Sequence, residues 1–151
     1  MIDPSETLTG TILRRVAAAS ASLAGDRPLV LALNPVARRM GSARERRALV
    51  EALAPVAERE SVPFTLLSSH YPGQLRDLLD TVCKRERSGG PGLFIVSCGG
   101  DGTHAEVLET VEPWARGGVP ITVIRWPFGT GNDAADGVDV PGLQIGRASC
   151  R

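Results

Sequence analysis

Short apolar runs alternate with amphipathic segments along the chain, and this alternation limits its possible folds more than any other feature of the sequence. Four almost wholly apolar runs cover residues 28–34, 62–68, 93–97 and 119–126. The first run, residues 28–34, is typical of a strand buried on both faces of a parallel sheet, and the other three runs also predict strands. Between them, apolar residues recur every three or four positions, which predicts helices. The sequence therefore predicts an α/β fold, an open and mostly parallel sheet with helices on both faces.

Start and stop signals bound the predicted helices, and the strand ends mark the loops of interest. Pro4 behind Asp3 begins a leading helix, and Gly25 ends it. The predicted helices cover residues 4–24, 42–60, 103–111 and a segment from residue 72 to a glycine-rich breaker at 88–92. Ligands of open parallel sheets bind beyond the carboxyl ends of the strands. The loops that carry a site are therefore those after Leu33, Leu67, Ser97 and Trp126.

Length, charge and cysteine content favour a single-domain protein of a reducing compartment. The chain has 151 residues, which leaves room for one domain with its own core but not for two. Its 17 Lys and Arg balance its 17 Asp and Glu, so charge favours neither nucleic acid nor an anionic membrane as an obligatory partner. The cysteines, Cys83, Cys98 and Cys150, form no CxxC pair. With no leader-like start and no apolar run near roughly 20 residues, a cytoplasmic protein is expected.

The loop after the third strand carries the string GGDGT at residues 99–103. Gly99, Gly100 and Gly102 are expected to allow positive φ and the close approach of a ligand. The following helix offers free amides to a phosphate. Because phosphates repel a carboxylate, Asp101 fits such a site only if it meets a cation or accepts a proton from an attacking hydroxyl. An Asx-type turn or a helix cap explains an aspartate here equally well.

A second string of the same kind follows the fourth strand. It reads PFGTGND over residues 127–133, and glycines again flank hydrogen-bonding side chains at the carboxyl end of a strand. Ala134 and Ala135 after it are consistent with the start of another helix. Two such loops in one small sheet are hard to ascribe to turns alone. Together they favour a site for phosphoryl transfer.

GGDGT followed one strand later by PFGTGND resembles the catalytic region of diacylglycerol kinases and of their sphingosine-kinase and bacterial lipid-kinase relatives. NAD kinases and phosphofructokinases share the first string more distantly. The resemblance covers residues 28–137 and implies the nucleotide-binding domain fold of the NAD kinases and diacylglycerol kinases. It also implies an ATP-dependent kinase that transfers the γ-phosphoryl group to a lipid hydroxyl, with Mg²⁺ bridging the nucleotide phosphates.

The resemblance assigns roles to individual residues. Asp101 takes the place of the essential acid, which orients the acceptor hydroxyl and takes its proton late in the transfer. The implied nucleotide contacts are Asn34, Ser68, Gly99, Gly100, Gly102, Thr103, Glu106, Gly129, Thr130, Gly131, Asn132 and Asp133. Asn34 is explained equally well by a strand-ending turn, and a solvated helix residue is the alternative for Glu106. Ser68 stands where relatives often offer a threonine hydroxyl, a loose match.

The sequence departs from the family pattern at several positions. Arginine stands at 38 and 39 where a glycine is expected, and both are consistent with a solvated turn. Ala105 replaces an asparagine that often precedes the glutamate. His104 is either a phosphate neighbour or, as is commoner at such positions, a polar surface residue. No role is assigned to these arginines, to His104 or to His70.

The last seven residues, 145–151, read IGRASCR and resemble the translation of a short-read sequencing adapter. The hypothesis is that native sequence ends at Gln144 and that a second, β-rich domain with the lipid pocket is missing. The lipid acceptor would then bind through that domain, where peripheral membrane contact also stays open. A fragment without it is expected to turn over little, because the acceptor is not positioned.

Two alternatives remain beside a lipid kinase. An NAD kinase shares GGDGT, but PFGTGND is not expected after its next strand. A nonenzymatic nucleotide-binding module would keep the glycine-rich loops without turnover, and the presence of Asp101 and Asp133 argues against it. A dinucleotide-binding dehydrogenase is disfavoured because no GxGxxG follows the first strand, and no GxxxxGK phosphate loop occurs.

Overall fold

The predicted alternation of strands and helices is present in the computed structural model, which describes residues 4–57, 62–86, 90–127 and 143–147. The strands are β1 (Leu29–Leu33), β2 (Thr65–Ser68), β3 (Leu93–Gly99), β4 (Ile121–Pro127) and β5 (Leu143–Arg147). The helices are α1 (Pro4–Ala24), α2 (Arg38–Gly41), α3 (Ala43–Ala57), α4 (Gln74–Glu86) and α5 (Asp101–Arg116).

The five strands form one parallel sheet in the order β2-β1-β3-β4-β5. The chain runs from β1 outward to β2 and then returns to place β3 on the other side of β1. Connections that leave two neighbouring strands in opposite directions open a crevice at their carboxyl ends. In this sheet the crevice lies between β1 and β3, at the loops that begin with Asn34 and Gly100.

Helices cover both faces of the sheet, which explains why the central strands β1 and β3 are buried at every position, whereas the edge strand β2 is partly exposed. On one face, α1 and α3 pack against alternate strand residues such as Leu31, Phe94 and Ile124. On the other face, α4 and α5 pack against the intervening residues, such as Val30 and Ile95. The predicted α/β class with helices on both faces is confirmed.

Helix α5 differs most from its predicted bounds. The spacing predicts a helix over residues 103–111, whereas α5 begins at Asp101 and continues through Pro113 to Arg116. Proline removes one backbone hydrogen bond from a helix. Here Val111 and Ala115 on either side of it remain buried against the sheet, and this packing outweighs the lost bond.

Two elements were not predicted. The short helix α2 occupies the turn after β1, where a solvated loop is expected. Strand β5 pairs in parallel with β4 and includes residues 145–147, which belong to the stretch attributed to an adapter. Ladder bonds are made by the backbone, so a strand can form there whatever the origin of its side chains. That hypothesis stays a prediction, and a helix after Asp133 would lie outside the described residues.

No helix in the described ranges combines the length and the apolar character needed to cross a bilayer.

Candidate active site

A groove of about 430 Å³ opens at the carboxyl ends of β1, β2 and β3, where the strand order predicts a crevice. Three segments form its walls: the loop after β1, the loop after β2 and the first turns of α5. The lining residues are Asn34, Pro35, Val36, Ser69, His70, Tyr71, Pro72, Gly102, Thr103 and Glu106. Four of the predicted nucleotide contacts, at 34, 102, 103 and 106, are therefore brought together in one groove.

Asn34 both shapes the β1 loop and lines the groove. Its Oδ1 accepts a hydrogen bond of 3.1 Å from the backbone N–H of Val36, which is an Asx-type turn. Its own N–H donates to the carbonyl of Cys98 in β3, and its carbonyl accepts from the N–H of Ala37. The turn explanation for Asn34 is thus correct, and the same turn carries its side chain at the groove wall.

The β2 loop contributes Ser69, and not the predicted Ser68, to the groove wall. Ser68 is the last residue of β2 and is not part of the groove lining. The next residue, Ser69, lines the groove, and its backbone N–H donates to the carbonyl of Leu33 at 3.1 Å. Beyond it the N–H of His70 donates to Oε1 of Gln74 at 2.7 Å, which fixes the loop against the start of α4.

The glycines of GGDGT serve packing and clearance rather than unusual backbone angles. Gly99 lies in β3, Gly100 precedes α5 with φ of −85°, and Gly102 lies in α5. None of the three has positive φ, so that prediction is wrong. A Cβ on Gly99 would lie 2.6 Å from Oγ1 of Thr103, whereas a Cβ on Gly102 would meet no atom within 4 Å. Gly99 makes room for Thr103, and Gly102 leaves the groove open.

Asp101 occupies the first position of α5, on the side of the helix that faces β4. Its Oδ1 accepts a hydrogen bond from Nη2 of Arg125, two residues before the end of β4. The arginine side chain is 2% exposed, and the aspartate side chain is 45% exposed. The pair therefore joins a buried cation to a carboxylate that reaches solvent beside the groove.

Sequence reasoning did not single out Arg125. The available signal is the one charged residue in the otherwise apolar run VPITVIRW, since a buried charge is costly unless it is paired.

The start of α5 suits an anion. The first turn of a helix leaves backbone N–H groups without partners inside the helix, and the helix dipole favours negative charge there. The first backbone bond in this turn runs from the N–H of His104 to the carbonyl of Gly100. Gly102 and Thr103, which belong to the same turn, line the groove. A phosphate group lying across this turn would meet backbone donors without a Cβ in its way.

The acidic groups near the groove suit a divalent cation shared with a phosphate. Glu106 is half-buried in the groove wall, and Asp101 lies five residues earlier on the same helix. Over the described residues, no group of three or more His, Cys, Asp or Glu side chains could hold a metal ion. Mg²⁺ usually binds through one or two carboxylates, phosphate oxygens and waters, and Glu106 in the groove wall fits that mode.

The other residues singled out in the sequence lie either in the core or outside the described part of the structure. His104 is only 2% exposed, so the surface alternative for it is wrong: it lies on the face of α5 that packs against the sheet. Arg38 and Arg39 begin α2, and their side chains lie outside the described part of the structure. The predicted contacts of the second string also lie outside the described residues. They are Gly129, Thr130, Gly131, Asn132 and Asp133.

The two described thiols are not candidates for chemistry at this site. Cys98 is fully buried in β3, and burial raises its thiol pKa. Burial, reinforced by the charges of Asp80 and Glu86, raises the pKa of Cys83 to about 12. Because the thiolate is the reactive form, both cysteines act as small apolar core residues.

Another groove, of about 490 Å³, lies at the opposite edge of the sheet, between the α1–β1 turn and the start of β2. It contains none of the predicted site residues. Arg27 in its wall is engaged elsewhere: Nη1 donates to Oγ1 of Thr122 at 2.6 Å, and the guanidinium lies 5.0 Å from the ring centre of Phe94. Ligands of parallel sheets bind at the carboxyl ends of the strands, so the smaller groove is the candidate site.

Fold and site together define an α/β domain with an anion-compatible groove at the switch point of a parallel sheet. The sequence profile described as the diacylglycerol kinase catalytic domain matches residues 28–150, most of the chain. The chain therefore belongs to the diacylglycerol kinase catalytic domain family, and the family resemblance read from GGDGT and PFGTGND is confirmed. Neither the comparison with curated proteins nor that with solved structures gives a match.

Proposed function

We propose that this chain is the nucleotide-binding catalytic domain of an ATP-dependent lipid kinase, which transfers the γ-phosphoryl group to a lipid hydroxyl. One observation carries the proposal: the half-exposed carboxylate of Asp101 stands at the start of α5, beside a groove that Gly102 keeps open. In a chain of the diacylglycerol kinase catalytic domain family, this is the arrangement that phosphoryl transfer requires: a donor cradle next to an acid.

The layout of the site suggests how the nucleotide lies. The groove is on the β1 and β2 side of α5, and Asp101 is on the β4 side, next to Arg125. The nucleoside would occupy the groove between the β1 and β2 loops. Its phosphates would then cross the first turn of α5, where backbone donors and the missing Cβ of Gly102 favour them. This order brings the γ-phosphate toward Asp101.

Asp101 would act on the acceptor. In the transfer, the lipid hydroxyl oxygen forms a bond to the γ-phosphorus while the bond from that phosphorus to the β,γ-bridging oxygen breaks, and ADP leaves. The hydroxyl proton passes to the Asp101 carboxylate late in the step. An aspartate is a weak base for an alcohol, so orientation of the hydroxyl is its main contribution.

The proposal includes Mg²⁺ as the second cofactor. Asp101 and Glu106 are the described carboxylates on the path of the phosphates. When bound, the ion neutralises charge on the phosphate oxygens. Glu106 lines the groove directly and is the better placed of the two to share an ion with the nucleotide.

Replacement of the acid tests the function. In the protein as its genomic locus encodes it, we expect Asp101→Asn to lower kcat for diacylglycerol phosphorylation by roughly 10²-fold or more, the usual contribution of a positioned acid or base. Asp77→Asn, at an exposed aspartate of α4, is the matched control and should leave kcat unchanged. Transfer of labelled phosphate from ATP to lipid in mixed micelles measures both.

The acceptor panel separates the alternatives. Parallel assays with a sphingoid base and with NAD identify another acceptor directly. Phosphorylation of NAD would replace the lipid-kinase proposal with the NAD kinase alternative. Binding of MgATP by calorimetry without transfer to any acceptor would instead support the nonenzymatic module.

A further inference from the structure

A buried arginine stands near the end of β4 where the pattern of the strand predicts an apolar residue. Ile121 and Val123 precede it on the same face, and both are buried in the core beneath α5. Arg125 itself is 1% exposed. Transfer of a guanidinium out of water is costly unless the charge is paired and hydrogen-bonded. A charged residue at a strand position that the pattern reserves for an apolar one is typical of a functional position.

Arg125 forms an ion pair in which the arginine is buried and the aspartate is partly exposed to solvent. Nη2 of the arginine donates to Oδ1 of Asp101. The arginine is shielded from solvent, and nearly half of the aspartate side chain is exposed. Within the described ranges, no other hydrogen bond or ion pair engages the Asp101 carboxylate. Among the described residues, the second carboxylate oxygen, Oδ2, has no hydrogen-bond partner.

Backbone pairing holds both members of the pair in place. Arg125 lies in β4 between two strands, opposite Ser97 of β3 and Arg147 of β5. Asp101 follows β3 after a single residue, Gly100. Arg125 is therefore held by strand pairing with β3, and Asp101 by its short connection to the end of β3. The carboxylate has little freedom to shift relative to the sheet.

We propose that Arg125 is a positioning residue for the phosphoryl transfer, because it holds Oδ1 of Asp101 and thereby turns Oδ2 toward the reacting hydroxyl. The inference rests on the proposed function. An aspartate at the start of a helix has other staggered rotamers within reach, including ones that bond to nearby backbone N–H groups. The guanidinium selects one of them. A misplacement of about 1 Å at a reacting group costs up to roughly 10²-fold in rate.

Three variants test this role: Arg125→Met, Arg125→Lys and Arg27→Met. The last is the matched control, since Arg27 also bonds to a residue of β4, Thr122, but at the end of the strand away from Asp101. In the protein as its genomic locus encodes it, thermal unfolding, kcat and the KM for MgATP are measured for each variant and for the wild type, with diacylglycerol as acceptor. The Lys variant keeps the charge without the fork of the guanidinium.

The proposal predicts a loss in kcat alone. We expect Arg125→Met to lower kcat about 30-fold with KM for MgATP within about threefold of wild type. Arg125→Lys should recover kcat to within about fivefold of wild type. Arg27→Met should lower the unfolding temperature but keep kcat within about twofold. If Arg125→Met does not fold, a fall in kcat for Arg125→Lys that Arg27→Met does not share carries the same conclusion.

Other outcomes overturn the inference. A kcat that falls equally in the Arg125 and Arg27 variants means that Arg125 only stabilises the fold. A change in KM alone means that it serves nucleotide binding. An active wild type with an unaffected Arg125→Met refutes the positioning role and leaves the proposed function intact. A wild type that phosphorylates no lipid refutes the proposed function, and the positioning role falls with it.

Discussion

At the scale of single residues, two glycines of GGDGT differ in whether the fold itself excludes a side chain at their position. The fold requires Gly99, because an added Cβ would overlap the side chain of Thr103. The fold does not require Gly102, whose backbone is helical and whose added Cβ would meet no atom within 4 Å. Glycine in a helix costs roughly 0.5–1 kcal/mol relative to alanine. Packing explains Gly99, and for Gly102 we propose a ligand that passes close to the backbone.

Gly102→Ala separates these explanations. We expect the free energy of unfolding to rise by up to about 1 kcal/mol, because alanine is the better helix former. We also expect MgATP binding to weaken roughly tenfold, or about 1.4 kcal/mol, because the methyl group enters the groove. Urea unfolding and titration calorimetry measure the two effects.

Gly10→Ala is the control for this substitution. Gly10 lies in α1, and a Cβ there also meets nothing within 4 Å. It should raise stability without any change in MgATP affinity. Undiminished binding by Gly102→Ala would show that the nucleotide does not pass this turn.

At the scale of elements, α4 and α5 are tied to each other as well as to the sheet. The indole N–H of Trp114 donates to Oδ1 of Asp80 at 2.7 Å, a charge-assisted bond in a half-buried setting. Nearby, Arg76 and Glu109 lie 3.7 Å apart but are largely exposed, so this ion pair contributes little. Because α5 carries Asp101 at its start, the bond at Trp114 helps to fix the helix that positions the site.

Substitution of Asp80, which accepts the hydrogen bond from Trp114, tests this contact between the two helices. We expect Asp80→Ala to lower the free energy of unfolding by about 1–2 kcal/mol, in line with hydrogen bonds to charged groups. Asp80→Asn should lose less, because the amide oxygen still accepts from the indole. Asp77→Ala, at the exposed start of the same helix, should cost only a few tenths of a kcal/mol through the helix dipole. Equal losses for Asp80→Ala and Asp77→Ala in urea unfolding would contradict the assignment.

At the scale of the whole molecule, the sheet separates two cores, and each encloses one thiol. Cys98 lies in the core under α1 and α3, and Cys83 lies in the core under α4 and α5. Burial raises both thiol pKa values above the ordinary 9.0. The folded state therefore favours the protonated thiols, and the unfolded state releases their protons more readily. Their contribution to stability is fully present below about pH 9 and is lost as the pH rises toward 12.

The pH dependence of stability reports on both cores. In a Cys150→Ser background, we expect the free energy of unfolding to fall by about 3 kcal/mol more between pH 9 and 10.5 than in a variant that also carries Cys83→Ala and Cys98→Ala. The comparison cancels other groups that titrate in this range. Urea unfolding at several pH values measures it. Parallel pH profiles for the two proteins would mean that the thiols are not shielded in the folded state.

Much of the fold could be predicted from the sequence, because strands and helix ends depend on residues that are close together along the chain. Apolar runs such as residues 93–97 are typical of buried strands, and the bounds of α1 follow from Pro4 and Gly25. GGDGT and PFGTGND together likewise predict a site, because two glycine-rich strings with polar side chains at strand ends are hard to ascribe to turns alone. These features depend on residues within one or two turns of each other, which a linear reading captures.

Contacts between distant segments were decided only by the tertiary structure. Arg125 and Asp101 are 24 residues apart and meet because β4 lies beside β3, whose end starts α5. The groove is likewise lined by Ser69 rather than Ser68, since the bonds to Leu33 determine how the loop turns after β2. The sequence by itself determined the α/β class and the family, and it predicts Asp101 as the acid of the site. The partner that holds this acid follows from strand order, and strand order is a property of the packed sheet.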